Sequence, residues 1–109
     1  MHFLAASTIP LAPSNLVAYR GNINQMYSFL LTGAISGTVW GTTVYTDDSS
    51  FATAAVHSGF VQVGQERVVT VMILAGESSY TGSTQNGVTS APYGPWGGSF
   101  TIISGVAAG

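Results

Sequence analysis

The sequence contains no cysteine among its 109 residues. Neither a disulfide nor a thiolate metal site can therefore supplement the hydrophobic core. Hydrophobic residues nevertheless make up 46% of the chain, which argues against disorder. A chain of this length buries about 65% of its unfolded surface, which is enough for one domain with one modest core.

Charged side chains are also scarce. The chain has no lysine, and charged residues make up 6% of it, against about 25% in a typical soluble domain. Two positive side chains are too few to bind a phosphate backbone, so we expect no nucleic-acid partner. A surface of Ser, Thr, Asn, Gln, Gly and small apolar groups costs little to desolvate against another protein. We therefore expect other structural protein subunits as partners, in a homo-oligomer or multicopy assembly.

Targeting and membrane signals are lacking as well. The first residues, Met1 to Ala6, contain no basic region, and Ser7, Thr8 and Pro10 interrupt their apolar run. No apolar stretch approaches the length of a transmembrane helix. We expect a chain without a signal peptide and without membrane insertion, made in the cytoplasm.

The residues that are present predict a β-rich chain. Pro10 and Pro13 restrict their neighbours to extended backbone, which predicts an extended N-terminal arm. β-Branched and aromatic residues predict four strands, at 26–32, 38–45, 67–74 and 99–103. Gly, Ser, Thr, Asn and Pro dominate residues 76–98, which we predict to be mostly loop. The arm, the domain and a C-terminal tail are predicted at 1–25, 26–103 and 104–109.

One segment contains two adjacent carboxylates and, further on, a histidine and a glycine. This pattern predicts a short helix held by the surrounding strands, because about nine residues do not form a stable helix alone. Asp47, Asp48 or Ser49 would cap its N-terminus, where side-chain oxygens accept hydrogen bonds from unpaired amides. His57 would lie in the last turn, and Gly59 at the left-handed position that follows it.

Two functional alternatives for this segment are weaker. In a helix, Asp48 and His57 would lie about 13 Å apart along the axis, too far to share a proton. No nucleophile-elbow motif supplies a catalytic serine, and a calcium loop needs more carboxylates at alternate positions. We therefore predict no catalytic, cofactor-binding or metal-binding residues, and no enzymatic activity.

The residues from Val39 to Gly59, VWGTTVYTDDSSFATAAVHSG, resemble the LCCL domain family. The resemblance continues through four stretches: VVTV at 68–71, GESSY at 76–80, NGVTS at 86–90 and WGGSFT at 96–101. It implies an α+β, mostly β fold in which a single short central helix is wrapped by antiparallel sheets, here with extended terminal arms. Members are mostly non-enzymatic modules of extracellular proteins, some proposed to bind lipopolysaccharide. Ala52 stands where the family usually has a cysteine, which fits assembly in a reducing cytoplasm.

Two groups of residues are candidates for contact with a ligand or a partner. Tyr80, Tyr93 and Trp96 are candidates for a surface ligand or partner, since Tyr and Trp are favoured at interfaces, and packing in the core and turns is the alternative. The apolar residues of the arm are predicted to contact neighbouring subunits by adding to a free strand edge: Phe3, Leu4, Ile9, Leu11 and Leu16.

These features predict two functions. The first is a non-catalytic structural and interaction subunit, in the most specific form a multicopy phage virion decoration, cement or tail-associated protein. Such a protein would act in an extracellular particle or on a surface. The alternative, implied by the resemblance alone, is a soluble module that binds lipopolysaccharide or a glycan, with neutral sugar favoured by the shortage of positive charge. No cofactor is expected.

Overall fold

β-Strands are the main regular secondary structure of the fold. The computed structural model describes residues 9–108, so Phe3 and Leu4 of the predicted arm lie outside the described residues. Within residues 9–108 the elements are Met26–Thr32 (β1), Gly41–Thr42 (β2), Val44–Thr46 (β3), Phe51–His57 (α1), Glu66–Glu77 (β4), Thr84–Gln85 (β5), Val88–Thr89 (β6) and Trp96–Ala107 (β7), with a 3-10 turn at Val17–Tyr19. The predicted fold class, α+β and mostly β with one short helix and antiparallel sheets, is confirmed.

A five-stranded sheet has the order β1-β4-β7-β3-β2, and each neighbouring pair of its strands is antiparallel. Strands β5 and β6 form a separate hairpin around Asn86 and Gly87, which both have positive φ. Strands β4 and β7, of 12 residues each, form the longest ladder. Its register shifts beside Thr70 and Val71, where Ile103 is the extra residue of a β-bulge.

Side chains alternate between two faces of this sheet, which we call the inner and the outer face. The inner face carries the buried residues of β1, β4 and β7: Phe29, Leu31, Val69, Val71, Ile73, Phe100 and Ile102. Strand β1 has the predicted bounds, and the predicted strands 67–74 and 99–103 lie within β4 and β7, so these three strands are confirmed. Strand β7 runs on to Ala107, so the predicted tail at 104–109 begins inside a strand.

The predicted strand at 38–45 is wrong because it is not continuous. Thr43 has a φ of 68°, a left-handed conformation that is unusual for a β-branched residue, and it separates β2 from β3. The two short strands pair with each other, with Gly41 opposite Tyr45. Gly41 has a φ of 113°, and a Cβ there would overlap the Val44 carbonyl oxygen, so the reversal requires glycine. Thr101 Oγ1 supports the turn by donating to the Thr43 carbonyl oxygen at 2.7 Å.

Helix α1 packs on the inner face and is buried on nearly every side. The ring of Phe51 meets the rings of Phe29 and Phe100 at centroid distances of 5.6 and 5.9 Å. Val88 of the β5–β6 hairpin belongs to the same core. A helix this short is held by its neighbours, as the sequence predicted. In the described part of the chain, no helix has the length and apolar character that a membrane crossing requires.

The helix begins at a different cap from the predicted ones. The N-cap is Ser50, whose Oγ accepts a hydrogen bond from the Thr53 amide at 3.3 Å. The prediction of a cap at Asp47, Asp48 or Ser49 is wrong because all three residues precede the cap and Ser50 performs the capping. These three side chains are therefore free for other contacts.

The C-terminal end of α1 forms a Schellman motif. His57 is the last helical residue, and Gly59 follows with a φ of 86°. The Gly59 amide donates to the Val56 carbonyl at 3.0 Å, and the Phe60 amide donates to the Ala55 carbonyl at 3.1 Å. The structure thus places His57 in the last turn and Gly59 at the left-handed position.

The described part of the predicted N-terminal arm packs on the domain. The Leu30 amide donates to the Pro10 carbonyl at 2.9 Å. The assembly role predicted for Leu16 is wrong, because its side chain is fully buried in the core and no neighbouring subunit can reach it. Leu11 is 75% exposed and Ile9 is half-buried, and their contact with neighbours stays a prediction.

Candidate functional site

His57 is fully buried and has a hydrogen-bond partner at each ring nitrogen. Its Nδ1 lies 2.8 Å from the Tyr45 hydroxyl, and its Nε2 lies 3.1 Å from the Ser83 carbonyl oxygen and 3.2 Å from the Ser83 hydroxyl. A serine and a histidine therefore meet, as they do at nucleophilic sites. No sequence motif predicts this pairing, because Ser83 lies far along the chain, next to the β5–β6 hairpin.

The hydrogen-bond roles at His57 argue for a structural cluster. A carbonyl oxygen only accepts, so Nε2 carries the hydrogen and donates to Ser83, and Nδ1 accepts from the Tyr45 hydroxyl. A general base would instead have to accept the Ser83 proton at Nε2. Burial raises the pKa of Tyr45, which keeps its hydroxyl protonated and able to donate. The Ser83 hydroxyl also lies 2.6 Å from Thr42 Oγ1, so the cluster ties α1 to the strands around it.

Asp47 joins three segments of the chain. Its Oδ2 accepts from Arg20 Nε, and its Oδ1 accepts from the terminal Arg20 nitrogen, both at 2.7 Å. Oδ1 also accepts from the Trp96 indole at 2.9 Å, and the Asp47 carbonyl accepts from the Leu16 amide at 2.8 Å. A Cβ on Gly98 would overlap Asp47 Oδ2, so only glycine lets β7 approach this carboxylate. Asp47 therefore holds the fold together.

The Arg20–Asp47 pair is charged at neutral pH. Burial acts to raise the pKa of Asp47, but hydrogen bonds from Arg20 and Trp96 outweigh it, and the pKa lies below its ordinary value. The hydrogen bond to Asp47 in turn raises the pKa of Arg20. The Arg20 guanidinium also lies 5.3 Å from the Trp96 ring centroid, within the range of a cation–π contact. The two charges compensate each other.

Tyr80 differs from the other two aromatic candidates. It is 4% exposed, which fits the alternative of packing in the turns, and its contact with a ligand or partner stays a prediction. Its hydroxyl accepts from the Glu77 amide at 3.0 Å and donates to the Trp96 carbonyl at 3.3 Å. Tyr80 therefore positions the start of β7, whereas Tyr93 is 45% exposed and Trp96 is half-buried.

Tyr93 and Trp96 line a small cleft together with Trp40, Thr46 and Asp48. The ring centroids of Trp40 and Tyr93 are 6.4 Å apart and those of Tyr93 and Trp96 are 5.8 Å apart, both in edge-to-face geometry. The cleft has a volume of about 100 Å³. Sites for drug-sized ligands measure about 300–1,000 Å³, so this cleft admits one small group.

Asp48 faces this cleft without the partners that Asp47 has. Its Oδ1 is buried, and no group among residues 9–108 donates a hydrogen bond to it. An unpartnered buried acceptor costs about 1–3 kcal/mol. The described residues contain no group of three or more His, Cys, Asp or Glu side chains that could hold a metal ion.

The outer face of the five-stranded sheet is a second candidate site. The pairing register aligns its side chains in rows across the strands. Two rows are mainly apolar and enclose a row of hydroxyls: Leu11, Leu30, Val68 and Val106; then Ser28, Thr70 and Ser104; then Met26, Met72 and Thr101. None of these residues is charged, and Glu66, opposite Thr32, lies at the margin of the face.

Neither Trp40 nor Asp48 is recognisable as a cleft residue from the sequence pattern. Trp40 was predicted to lie in a strand and Asp48 to cap a helix, and neither assignment places them beside Tyr93 and Trp96. The outer face did leave a signal in the sequence. In β1 and β4 the apolar residues stand at both odd and even positions and so lie on both faces of the sheet. A sheet with one buried face requires them at alternate positions only.

Comparison with known proteins identifies the family. The LCCL domain profile matches residues 22–100. Vitrin of Homo sapiens is 42% identical over 65 residues, which cover 60% of this chain and 9% of vitrin. Vitrin of Bos taurus is 40% identical over 67 residues, covering 62% of this chain and 10% of vitrin, and vitrin of Mus musculus is 41% identical over 64 residues, covering 59% and 10%. The match therefore spans about a tenth of the length of these curated relatives. This chain belongs to the LCCL domain family.

Proposed function

We propose that this LCCL domain is a non-catalytic interaction module that docks through the outer face of its five-stranded sheet, in the first place on a second copy of the chain. The observation that carries the proposal is the pair of apolar rows on that face. Leu11, Met26 and Val106 are 75%, 57% and 55% exposed there. Contiguous apolar surface of this kind marks interaction sites in soluble proteins.

The chemistry of the face suits a second copy. Two uncharged faces meet without like-charge repulsion and without burying an unpaired ion. The hydroxyls between the apolar rows are already partnered in part, since Ser28 Oγ and Thr70 Oγ1 lie 2.7 Å apart. Covering them therefore leaves few unsatisfied groups.

The size of the face predicts a weak contact. Strand β1 has seven residues, and at about 3.4 Å per residue and about 4.8 Å between strands, the part shared by β1, β4 and β7 covers on the order of 340 Å². A stable interface buries about 800 Å² on each partner. Association through this face should therefore depend on concentration and gain from several simultaneous contacts.

Sedimentation velocity over a range of concentrations tests the proposal. The unmodified chain should form dimers or larger species as its concentration rises. Val106→Lys and Leu11→Lys each place a charge in the apolar row, and burying an unpaired charge opposes docking. Both variants should stay monomeric at concentrations where the unmodified chain associates.

The matched control is Thr84→Lys, which adds the same charge at an exposed position of β5, outside the outer face. It should associate like the unmodified chain. A chain that is monomeric at every concentration overturns the proposal, as does a Thr84→Lys variant that dissociates as completely as Val106→Lys.

The multicopy virion subunit predicted from the sequence is a finer form of the same proposal. In such a particle the neighbouring subunits would cover the outer face, and the chain would act in an extracellular particle or on a surface. Trimers or larger closed species in the sedimentation experiment would favour this form. A discrete dimer would favour a simple pairing of two modules.

Recognition of a neutral surface glycan is the second candidate function. The exposed Tyr93 ring beside Trp96 supports it, because aromatic rings present an apolar face to a sugar. Lipid phosphates suit this aromatic surface less, since the nearby cation, Arg20, is already paired with Asp47. A glycan array read with the unmodified chain and with Tyr93→Ala checks this candidate, and an array without signal dismisses it.

A further inference from the structure

We propose that the cleft between Trp40, Asp48, Tyr93 and Trp96 binds a protonated alkylamine, such as the lysine side chain of a partner protein. The cleft is lined by residues outside the apolar rows of the outer face, so the proposal does not rest on docking through that face. Four observations carry it: the charge of the site, its unpartnered acceptor, its aromatic walls and its size.

The site carries one negative charge more than its neighbouring cation neutralises. Arg20 binds Asp47 through two hydrogen bonds of 2.7 Å, which compensates both charges. In the described residues Asp48 takes part in no ion pair. A cation bound beside Asp48 would meet a carboxylate that no other group has neutralised, whereas an anion would be repelled by it.

The buried oxygen of Asp48 specifies a cation that carries N–H groups. Among residues 9–108 nothing donates to Asp48 Oδ1, although the atom is buried. Charge-assisted hydrogen bonds are the strong ones, and a protonated amine supplies such a donor. A quaternary ammonium ion has no N–H group and would leave this oxygen unsatisfied. The geometry therefore favours a primary or secondary amine.

The remaining walls are suited to the same cation. Trp40, Tyr93 and Trp96 present three aromatic rings with neighbouring centroids 5.8 and 6.4 Å apart. Aromatic faces attract ammonium groups placed within about 6 Å, and tryptophan does so best. The rings also provide the apolar contact that the methylene groups of an alkylamine require.

The size of the cleft limits the ligand to the end of a side chain. A volume of about 100 Å³ admits an ammonium group with a few methylenes but not a whole sugar or a folded peptide. This chain contains no lysine. A lysine that enters the cleft must therefore lie outside these 109 residues.

Titration with n-butylammonium chloride, read by tryptophan fluorescence, tests the proposal. The chain has two tryptophans, and both line the cleft, so the emission reports on this site. The ligand should change the emission along a saturable curve with a dissociation constant in the millimolar range, measured against sodium chloride of equal ionic strength. n-Butanol, which has the same alkyl chain without the charge, should bind far more weakly.

Two variants locate the binding. Asp48→Asn keeps the shape of the side chain and removes its charge, and it should weaken n-butylammonium binding by at least about tenfold. Glu66→Gln removes the same charge from an exposed position on β4 and should leave binding unchanged. Tyr93 is 45% exposed, so Tyr93→Leu should leave the fold intact, and because it removes one aromatic wall it should weaken binding several-fold.

Several outcomes overturn the proposal. Equal binding of n-butanol would show an apolar pocket without charge recognition. Equal or tighter binding of tetramethylammonium would show an aromatic cage that does not use the hydrogen bond to Asp48. An emission change that does not saturate at high n-butylammonium concentration would show that there is no specific amine site. A folded Asp48→Asn variant that binds n-butylammonium as tightly as the unmodified chain would show the same. Should Asp48→Asn fail to fold, the Tyr93→Leu titration and the n-butanol comparison still decide.

Discussion

On the inner face of the five-stranded sheet, Phe29 and Phe100 are at most 2% exposed because α1 packs against them, whereas on the outer face Leu11 and Val106 are 75% and 55% exposed. Both faces carry apolar side chains. They differ in whether other residues of the described part of the chain, 9–108, cover them. The covered face stabilises the fold, and the outer face leaves apolar side chains exposed to solvent, where we propose that a partner docks.

The same contrast recurs in the two adjacent carboxylates. Asp47 is bonded to Arg20 and Trp96 and contributes to the fold, while the buried oxygen of Asp48 has no donor among the described residues. The two adjacent carboxylates therefore differ in role, because the described residues supply hydrogen-bond donors to Asp47 but none to the buried oxygen of Asp48. Substitutions on the inner face and at Asp47 should therefore lower the free energy of unfolding, whereas substitutions on the outer face should mainly change association.

The largest effect should come from the inner face. Phe100 is fully buried and its ring meets those of Tyr45 and Phe51 at 5.7 and 5.9 Å. Phe100→Ala removes these contacts and leaves a cavity, so it should lower the free energy of unfolding by about 3–5 kcal/mol. Urea denaturation measures this change. A loss below about 1 kcal/mol, the level of an average substitution, would break the distinction between the two faces.

Asp47→Asn should have the second largest effect. The variant loses the paired charges and at least one hydrogen bond to Arg20, which is itself partly exposed. Hydrogen bonds to charged groups contribute about 1.5–3 kcal/mol each, and exposure of Arg20 reduces that value, so we expect a loss of about 2 kcal/mol at neutral pH. Urea denaturation again gives the measurement, with Glu66→Gln as the matched loss of an exposed carboxylate.

The pH dependence of the Asp47→Asn effect has a definite sign. The folded-state pKa of Asp47 lies below its ordinary value of 3.8. The stabilisation is therefore fully present above that value and is lost as the pH falls through the lower, folded-state pKa. The difference in unfolding free energy between the unmodified chain and Asp47→Asn should shrink as the solution is acidified below pH 3.8. A difference that grows with acidity would contradict the assignment.

The smallest effect on stability should come from the outer face. Val106 is 55% exposed, and Val106→Ala should change the free energy of unfolding by less than about 0.5 kcal/mol. The same variant should still weaken the proposed self-association, because it removes apolar area from the outer face. Parallel denaturation and sedimentation measurements separate the two readouts. A large loss of stability without a change in association would reverse the roles of the faces.

The strands with a strong local signal were predicted well. Strand β1 has the predicted bounds because aromatic and apolar residues dominate it and a glycine follows it. The break at Thr43 escaped prediction because a β-branched residue gives no local sign of a left-handed backbone, which a tertiary contact from Thr101 supports here. The burial of Leu16 escaped prediction because the apolar residues of its segment follow neither helical nor strand spacing, although the side chain is fully buried.

The candidate sites were less predictable because each is assembled from distant segments. The cleft combines Trp40, Asp48, Tyr93 and Trp96, which come from three parts of the chain. Two of its aromatic residues, Tyr93 and Trp96, are predictable as contact residues from their type, whereas the local pattern predicts a helix cap at Asp48. The position of a side chain relative to a cap can be read locally. Its distance from residues in a remote loop depends on the whole fold.

Proton–carbon NMR of methyl-labelled methionine tests the central claim most directly. Two methionines, Met26 and Met72, lie on the outer face, and both tryptophans, Trp40 and Trp96, line the cleft. As the protein concentration rises, the methyl signals of Met26 and Met72 should shift while the tryptophan indole signals stay in place. Methionine signals that do not change up to the highest concentration, or indole signals that shift in their stead, would contradict docking through the outer face.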